Sequence, residues 1–190
     1  MNFIQEYKNA IDPNTCKDLI DLFERDTHLH SQGTAYVKGI PTLDNSIKQS
    51  TEIDIDASLR ANPDWSHTLD KVFVSLSGCL EKYKKEYSFI DKTNTSWRIT
   101  NSINFQRFLP GEGFYEWHCE NEKNNRLLVF MFYLNSIEVG GGTEFNYEMP
   151  NSTAEIGKCL IWPADWTHFH KSIVAPYEKK YIITGWYVYD

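Results

Sequence analysis

Tyr115-Glu116-Trp117-His118-Cys119-Glu120 is the stretch on which the reading of this chain turns. It sets an imidazole and a carboxylate two residues apart, and on a β-strand residues two apart project from the same face. His118 and Glu120 can therefore reach one point in space. A second imidazole from a distant strand would complete a three-cornered ligand set and leave open positions on an octahedral ion. That arrangement suits ferrous iron. Alone, His-x-Glu says little, because a chain with 6 His and 26 acidic residues supplies such pairs by chance. Its weight comes from its surroundings.

Pro110-Gly111-Glu112-Gly113 just upstream is a turn, so the quoted stretch reads as a strand entered directly from it. Residues 96–99 and 102–108 are strand-like. Residues 127–134 are apolar on both faces, the mark of a central buried strand. Gly140-Gly141-Gly142-Thr143-Glu144-Phe145 reads as a turn entering a strand, 159–163 as a strand closed by proline, and 180–189 as the last strand. Before residue 96 the pattern differs. Asp12-Pro13 starts an amphipathic helix over about 13–26, and Pro63 starts a long one through Trp65, Leu69, Val72, Leu76 and Tyr83, ending in the charged stretch 81–86. Between the helices His28 and His30 read as an exposed loop pair, Ala35-Tyr36-Val37 as a short strand, and 49–55 as a half-buried strand. The expected class is α+β: a double-sheet jelly roll (double-stranded β-helix) with N-terminal packing helices. One domain over 1–190 is expected, with helical support over about 1–95 and the motif-bearing strands over about 96–190.

Composition narrows the function. No apolar run approaches the roughly 20 residues of a membrane span, and the first residues lack a basic region followed by an apolar stretch. A soluble cytoplasmic protein is expected. Cys16, Cys79, Cys119 and Cys159 are scattered without CxxC spacing, which reads as free and mostly buried thiols rather than a zinc site or a disulfide framework. A net charge of −7 argues against nucleic acid as a partner. Oligomeric state is not legible.

The motif order resembles a known family. The run from Phe108 through His118 to Glu120, then Arg126 through Tyr133 to Asn135, then Gly140 through Phe145, then the histidines near 170, then Lys180 through Trp186, is similar to the Fe(II)/2-oxoglutarate dioxygenases of the prolyl-hydroxylase type. The likeness covers roughly residues 97–190. The family motif is usually His-x-Asp, and here Glu120 offers the same oxygen one methylene further out. The resemblance implies Fe(II) on His118, Glu120 and one more histidine. His168 and His170 share a face if their stretch is a strand, so parity cannot choose between them. The family spacing of about ten residues to a basic position favours His170, ten before Lys180, over His168, twelve before it. The other would sit at the site mouth or hydrogen-bond behind a ligand.

The resemblance also implies that Lys180 binds the far carboxylate of 2-oxoglutarate. Thr184 on the same face would donate a hydroxyl, and Trp186 would wall the pocket or stand behind a ligand. Lys179 reads as exposed. Tyr133 matches a tyrosine that bonds the cosubstrate in related enzymes, or else is a core aromatic with a satisfied hydroxyl. Arg107 is a further candidate cation, whereas Arg126 reads as a surface residue at a strand start. The activity implied is hydroxylation of a C–H bond with release of succinate and CO2, carried by the cofactor rather than by side-chain acids and bases. Fe(II), 2-oxoglutarate and O2 are needed, with ascorbate as an auxiliary reductant. A peptidyl or free prolyl or amino-acid substrate is implied. Two other classes stay open: a jelly-roll binding module without chemistry, and a cupin-like metal protein without 2-oxoglutarate.

Overall fold

The computed structural model of the chain describes residues 2–37, 40–92, 94–121 and 125–190. Helix α1 (Pro13–Arg25) begins where expected, because the Asp12 carboxylate accepts the N–H groups of Asn14 and Thr15 and proline fills the first turn. The short α2 (Ala57–Ala61), not foreseen from sequence, is capped by Asp56. Asn62 then caps the long α3 (Pro63–Glu86). The apolar stripes of α1 and α3 bury Leu19, Phe23, Trp65, Leu69, Val72 and Leu76 against one face of a large antiparallel sheet.

That sheet runs β1 (Gln5–Tyr7), β10 (Cys159–Pro163), β8 (Arg126–Tyr133), β12 (Lys180–Tyr189), β7 (Ile103–Phe108), β5 (Thr51–Ile55) and β2 (Ser31–Gln32), with β6 (Trp97–Ile99) on the far end of β12. The double-faced apolar strand is central as expected, flanked by β10 and β12. Strand parity sorts the side chains. Phe130, Phe132, Ile161, Ile183 and Tyr187 join the helix-side core, while Val129, Met131, Tyr133, Leu160, Trp162 and Ile182 point to the other face. Gly185 lies on the helix side, where a Cβ would come within 2.4 Å of the Phe130 ring. Its bare backbone leaves that ring its place.

Over the second face lies the smaller layer of the jelly roll. β11 (His170–Ser172) pairs β9 (Thr143–Phe145), with bridges Thr143 to Ser152, His118 to His170 and Lys48 to Phe114 extending it. β3 (Ala35–Val37) and β4 (Ile40–Thr42) form a separate hairpin. Between the layers is a cavity of about 460 Å³, within the range of small-molecule sites.

Two expectations are corrected. The first half is not only helical support, since β1 pairs β10 and β5 pairs β7. The stretch 115–120 is not a strand. It is an extended segment joined to β11 by one bridge at His118, after which the Glu120 N–H turns to the Ala164 carbonyl at 3.0 Å. Changing partner within two residues prevents a continuous ladder.

Candidate active site

The bridge between His118 and His170, with mutual N–H to carbonyl bonds of 3.0 and 2.8 Å, brings the two imidazoles together. Each ring then ties its Nδ1–H to a nearby carbonyl, His118 to Glu116 at 3.0 Å and His170 to His168 at 2.9 Å. These bonds select the tautomer whose Nε2 lone pair faces inward. Both Nε2 atoms lie 3.6 Å from the same Glu120 oxygen, Oε1. The three ligand atoms sit within 4.8 Å of one another, close enough for one ion to touch all three, and no other such group occurs among the described residues.

The second carboxylate oxygen is held from behind. Oε2 accepts from Arg126 Nη1 at 2.8 Å and from Trp186 Nε1 at 2.9 Å, and the guanidinium stacks over the Trp186 ring at 3.8 Å. With Oε2 engaged, Oε1 is turned to the imidazoles. Burial, with the neighbouring His170, holds the His118 imidazole below its usual pKa. For Glu120 burial acts upward, but the facing imidazoles hold it well below the ordinary carboxylate range. Neutral imidazole and ionised carboxylate are the forms a metal cation takes. Phe114 stacks on His118 at 3.6 Å between centroids, and Trp162 meets His170 edge-on at 5.2 Å.

At the β12 end of the cavity lies a different arrangement. Lys180 is 3% exposed, its Nζ rests 4.6 Å over the Phe108 ring, and no carboxylate pairs with it among the described residues. Desolvation pushes its pKa down to about 8. Thr184 Oγ1, on the same face, is buried without a hydrogen-bond partner. A lone buried ammonium and an orphaned hydroxyl beside one cavity are the donors a carboxylate would satisfy. Lys179 is exposed as expected.

Other sequence-predicted residues fall elsewhere. The backbone from Trp166 to His168 is a 3-10 turn rather than a strand, so His168 and His170 do not share a face. His168 Nε2 instead donates to the Asn2 carbonyl at 2.6 Å and Nδ1 accepts from Thr167, away from the triad. Tyr133 is fully buried, its hydroxyl is bonded to Thr143 Oγ1 at 2.8 Å, and Thr143 rather than Tyr133 lines the cavity. Arg107 lies on the helix face and pairs with Glu24 at 2.9 Å, because residues 106 and 107 alternate across β7. Arg126 is not a surface residue but part of the site wall. His30 caps inward on the Phe23 carbonyl at 2.9 Å while His28 is exposed. Cys16, Cys79 and Cys159 are buried and Cys119 lies in the cavity wall, all as thiols. Trp162, whose Nε1 is buried without a partner, was missed as a site residue, since an apolar strand gives no sign of which tryptophan meets a histidine.

Residues 103–188 match the family profile of the 2OG-Fe(II) oxygenase superfamily. A search of the curated proteins finds no match. Among solved structures, the chain is similar to a prolyl hydroxylase from Trichoplax adhaerens in complex with a hypoxia inducible factor oxygen degradation domain peptide fragment. The TM-score is 0.72 at 17% identity, over 99% of this chain and 84% of that one. It is also similar to a Pseudomonas putida prolyl-4-hydroxylase (TM-score 0.70, 13% identity, 99% and 93% covered). A third is the viral collagen prolyl hydroxylase of Paramecium Bursaria Chlorella virus-1 in its 2OG complex (TM-score 0.67, 14% identity, 98% and 96% covered).

Proposed function

We propose that this chain, whose residues 103–188 match the profile of the 2OG-Fe(II) oxygenase superfamily, is such an oxygenase and that His118, Glu120 and His170 hold its Fe(II). Lys180 and Thr184 take the far carboxylate of 2-oxoglutarate. The observation that carries the reading is the pairing of two features in one cavity: three inward ligand atoms at one side, and an unpaired buried ammonium beside an orphaned hydroxyl at the other. A cupin-like metal protein without 2-oxoglutarate would have no use for the second feature.

When bound, Fe(II) and 2-oxoglutarate supply an oxidative decarboxylation with O2 that yields succinate and CO2 and hydroxylates a substrate C–H bond. The chain's own residues position and shield. Arg126 and Trp186 fix Glu120, the Nδ1 bonds fix the two imidazoles, and Phe114, Met131, Trp162 and Ile182 supply the apolar part of the cavity wall. The substrate we propose is a prolyl or other amino-acid unit, free or within a peptide, a reading supported by the similar prolyl hydroxylases, one of them in complex with a peptide fragment. Both halves of the chain contribute to the cavity, through Lys48 and Glu52 on one side and Thr184 on the other, which supports one functional unit over 1–190. Among the described residues no helix is long and apolar enough to cross a membrane, and we propose a cytoplasmic site of action.

The test is anaerobic addition of Fe(II) and 2-oxoglutarate, watched for the visible charge-transfer band of the chelate. The expected result is a band in the parent chain and none in His118→Ala. A band that survives in His118→Ala, Glu120→Ala and His170→Ala alike would overturn the assignment.

A further inference from the structure

The cavity holds a buried ion pair that the metal end does not use. Lys48 and Glu52 are 5% and 8% exposed, Lys48 Nζ lies 2.5 Å from Glu52 Oε1, and both line the cavity wall. Ser50 Oγ donates to the same oxygen at 2.9 Å, and Lys48 Nζ also donates to the Thr34 carbonyl at 3.2 Å. Gly33 lies against the pair, and a Cβ there would come within 2.0 Å of Ser50 Oγ and 2.7 Å of Glu52 Oε1.

As a fold device this pair is a poor choice. Taking two ions out of water is costly, their attraction repays that only with good geometry, and apolar residues of similar volume commonly serve as well. The other face of β5 shows that alternative in Ile53 and Ile55, both fully buried in the helix-side core. What the pair offers is donor capacity. An ammonium carries three N–H groups, and among the described residues Glu52 and Thr34 take two of them. Opposite Glu52 in the β5–β7 register stands Gln106, 7% exposed, lining the cavity, with no hydrogen-bond partner for its amide among the described residues. The location matters as well. Lys48 Nζ lies 5.7 Å from the centroid of Phe114, the ring that stacks on His118, so one aromatic ring separates it from a metal-side imidazole. β5 is two strands away from β12, so Lys48 does not compete with Lys180 for one anion.

We propose that Lys48 and Gln106, with Glu52 as the counter-charge, form a substrate subsite that takes a carboxylate. The proposal deepens the reading given above and rests on it. Glu52 balances the charge of the ammonium until a substrate carboxylate accepts from the third N–H and from the Gln106 amide. That carboxylate comes from one of two sources, the α-carboxylate of a free amino acid or an acidic side chain next to the hydroxylated residue of a peptide.

The experiment is anaerobic titration calorimetry on the chain loaded with Fe(II) and saturating 2-oxoglutarate, after its charge-transfer band has been recorded. The probes are two acid and amide pairs: L-proline against L-prolinamide, and acetyl-Pro-Glu-amide against acetyl-Pro-Gln-amide. In one pair the acid should bind about tenfold tighter or more than its amide partner, and which pair shows the ratio identifies the source. Lys48→Met should erase the ratio. Glu52→Gln should enlarge it, because a competing anion has gone. A purely structural ion pair would lower the melting temperature in both variants and leave the ratio alone. Equal affinities within both pairs, failure of both acids to bind, or a ratio that persists in Lys48→Met overturns the proposal. If Lys48→Met does not fold, Gln106→Leu takes its place, with a reduced ratio expected. Absence of the band in the loaded parent overturns the metal-end reading and this one with it, whereas a band with equal affinities overturns this one alone.

Discussion

At the histidine end of the cavity Glu120 has both oxygens engaged, Oε2 by Arg126 and Trp186 and Oε1 facing two imidazoles, whereas at the β12 end, among the described residues, Lys180 has no counter-ion and Thr184 Oγ1 no partner. The first arrangement is assembled by the fold before any ligand arrives. The second is left incomplete, and in the proposed reading an anion completes it. The proposed metal end should therefore fail through geometry when altered, and the proposed anion end through charge.

The sharpest break is removal of a ligand. His118→Ala, Glu120→Ala and His170→Ala should each lose Fe(II) binding in an iron titration with circular dichroism unchanged, while His168→Ala keeps it. Loss of iron in His168→Ala with retention in His170→Ala would reverse the assignment. At the other end, Lys180→Ala should weaken 2-oxoglutarate by roughly 30-fold or more, since truncating one partner of a buried charged pair costs about 2–5 kcal/mol. Fe(II) affinity should be spared, and Lys179→Ala should match the parent. Equal losses at both lysines would show that the register of β12 is misread.

A gentler change tests the support behind Glu120. Trp186→Phe removes one donor to Oε2 and keeps the ring under Arg126, and should lower iron affinity by about tenfold, the low end for such supporting contacts. No change would mean that Arg126 alone orients the carboxylate. The last test is in pH. Burial pushes the Lys180 ammonium down to about 8 from an ordinary 10.5. Above about pH 8 the ammonium is lost, so 2-oxoglutarate affinity should fall as pH rises, by up to about tenfold per unit, and Lys180→Arg should flatten that fall. Without ligand the sign is opposite. Between 8 and 10.5 the unfolded chain binds more protons than the folded one, so stability should rise with pH across that window. A melting temperature that falls there beyond the loss seen in Lys180→Met would contradict the burial of this charge.

Much of the site was legible because it depends on short-range periodicity. Lys180, Thr184 and Trp186 share a face in any strand, and β12 is a strand. For His118 and Glu120 the same argument gave the right convergence from a wrong premise, since an extended segment with one bridge preserves the two-residue alternation without being a strand. It gave the wrong geometry for His168 and His170, because the 3-10 turn that ends at His168 rotates that side chain toward Asn2. Aspartate at 165 capping Trp166 was the local sign of that turn. For Tyr133, sequence left a cosubstrate contact and a satisfied core hydroxyl both open, and Thr143 decides for the second.

By itself, then, the sequence determined the two capped helices, the central apolar strand, the alternation of β12 and the presence of an imidazole and carboxylate set, all matters of local spacing and of water avoidance along one segment. The tertiary structure alone decided which histidine joins Glu120, that Arg126 turns inward while Arg107 is spent on Glu24, and that Lys48 and Glu52 share a cavity with residues up to 138 positions away, such as Trp186. The physical reason is that these partnerships are set by packing two sheet layers against each other. A charge in one strand cannot carry in its local sequence the identity of a donor that arrives from another.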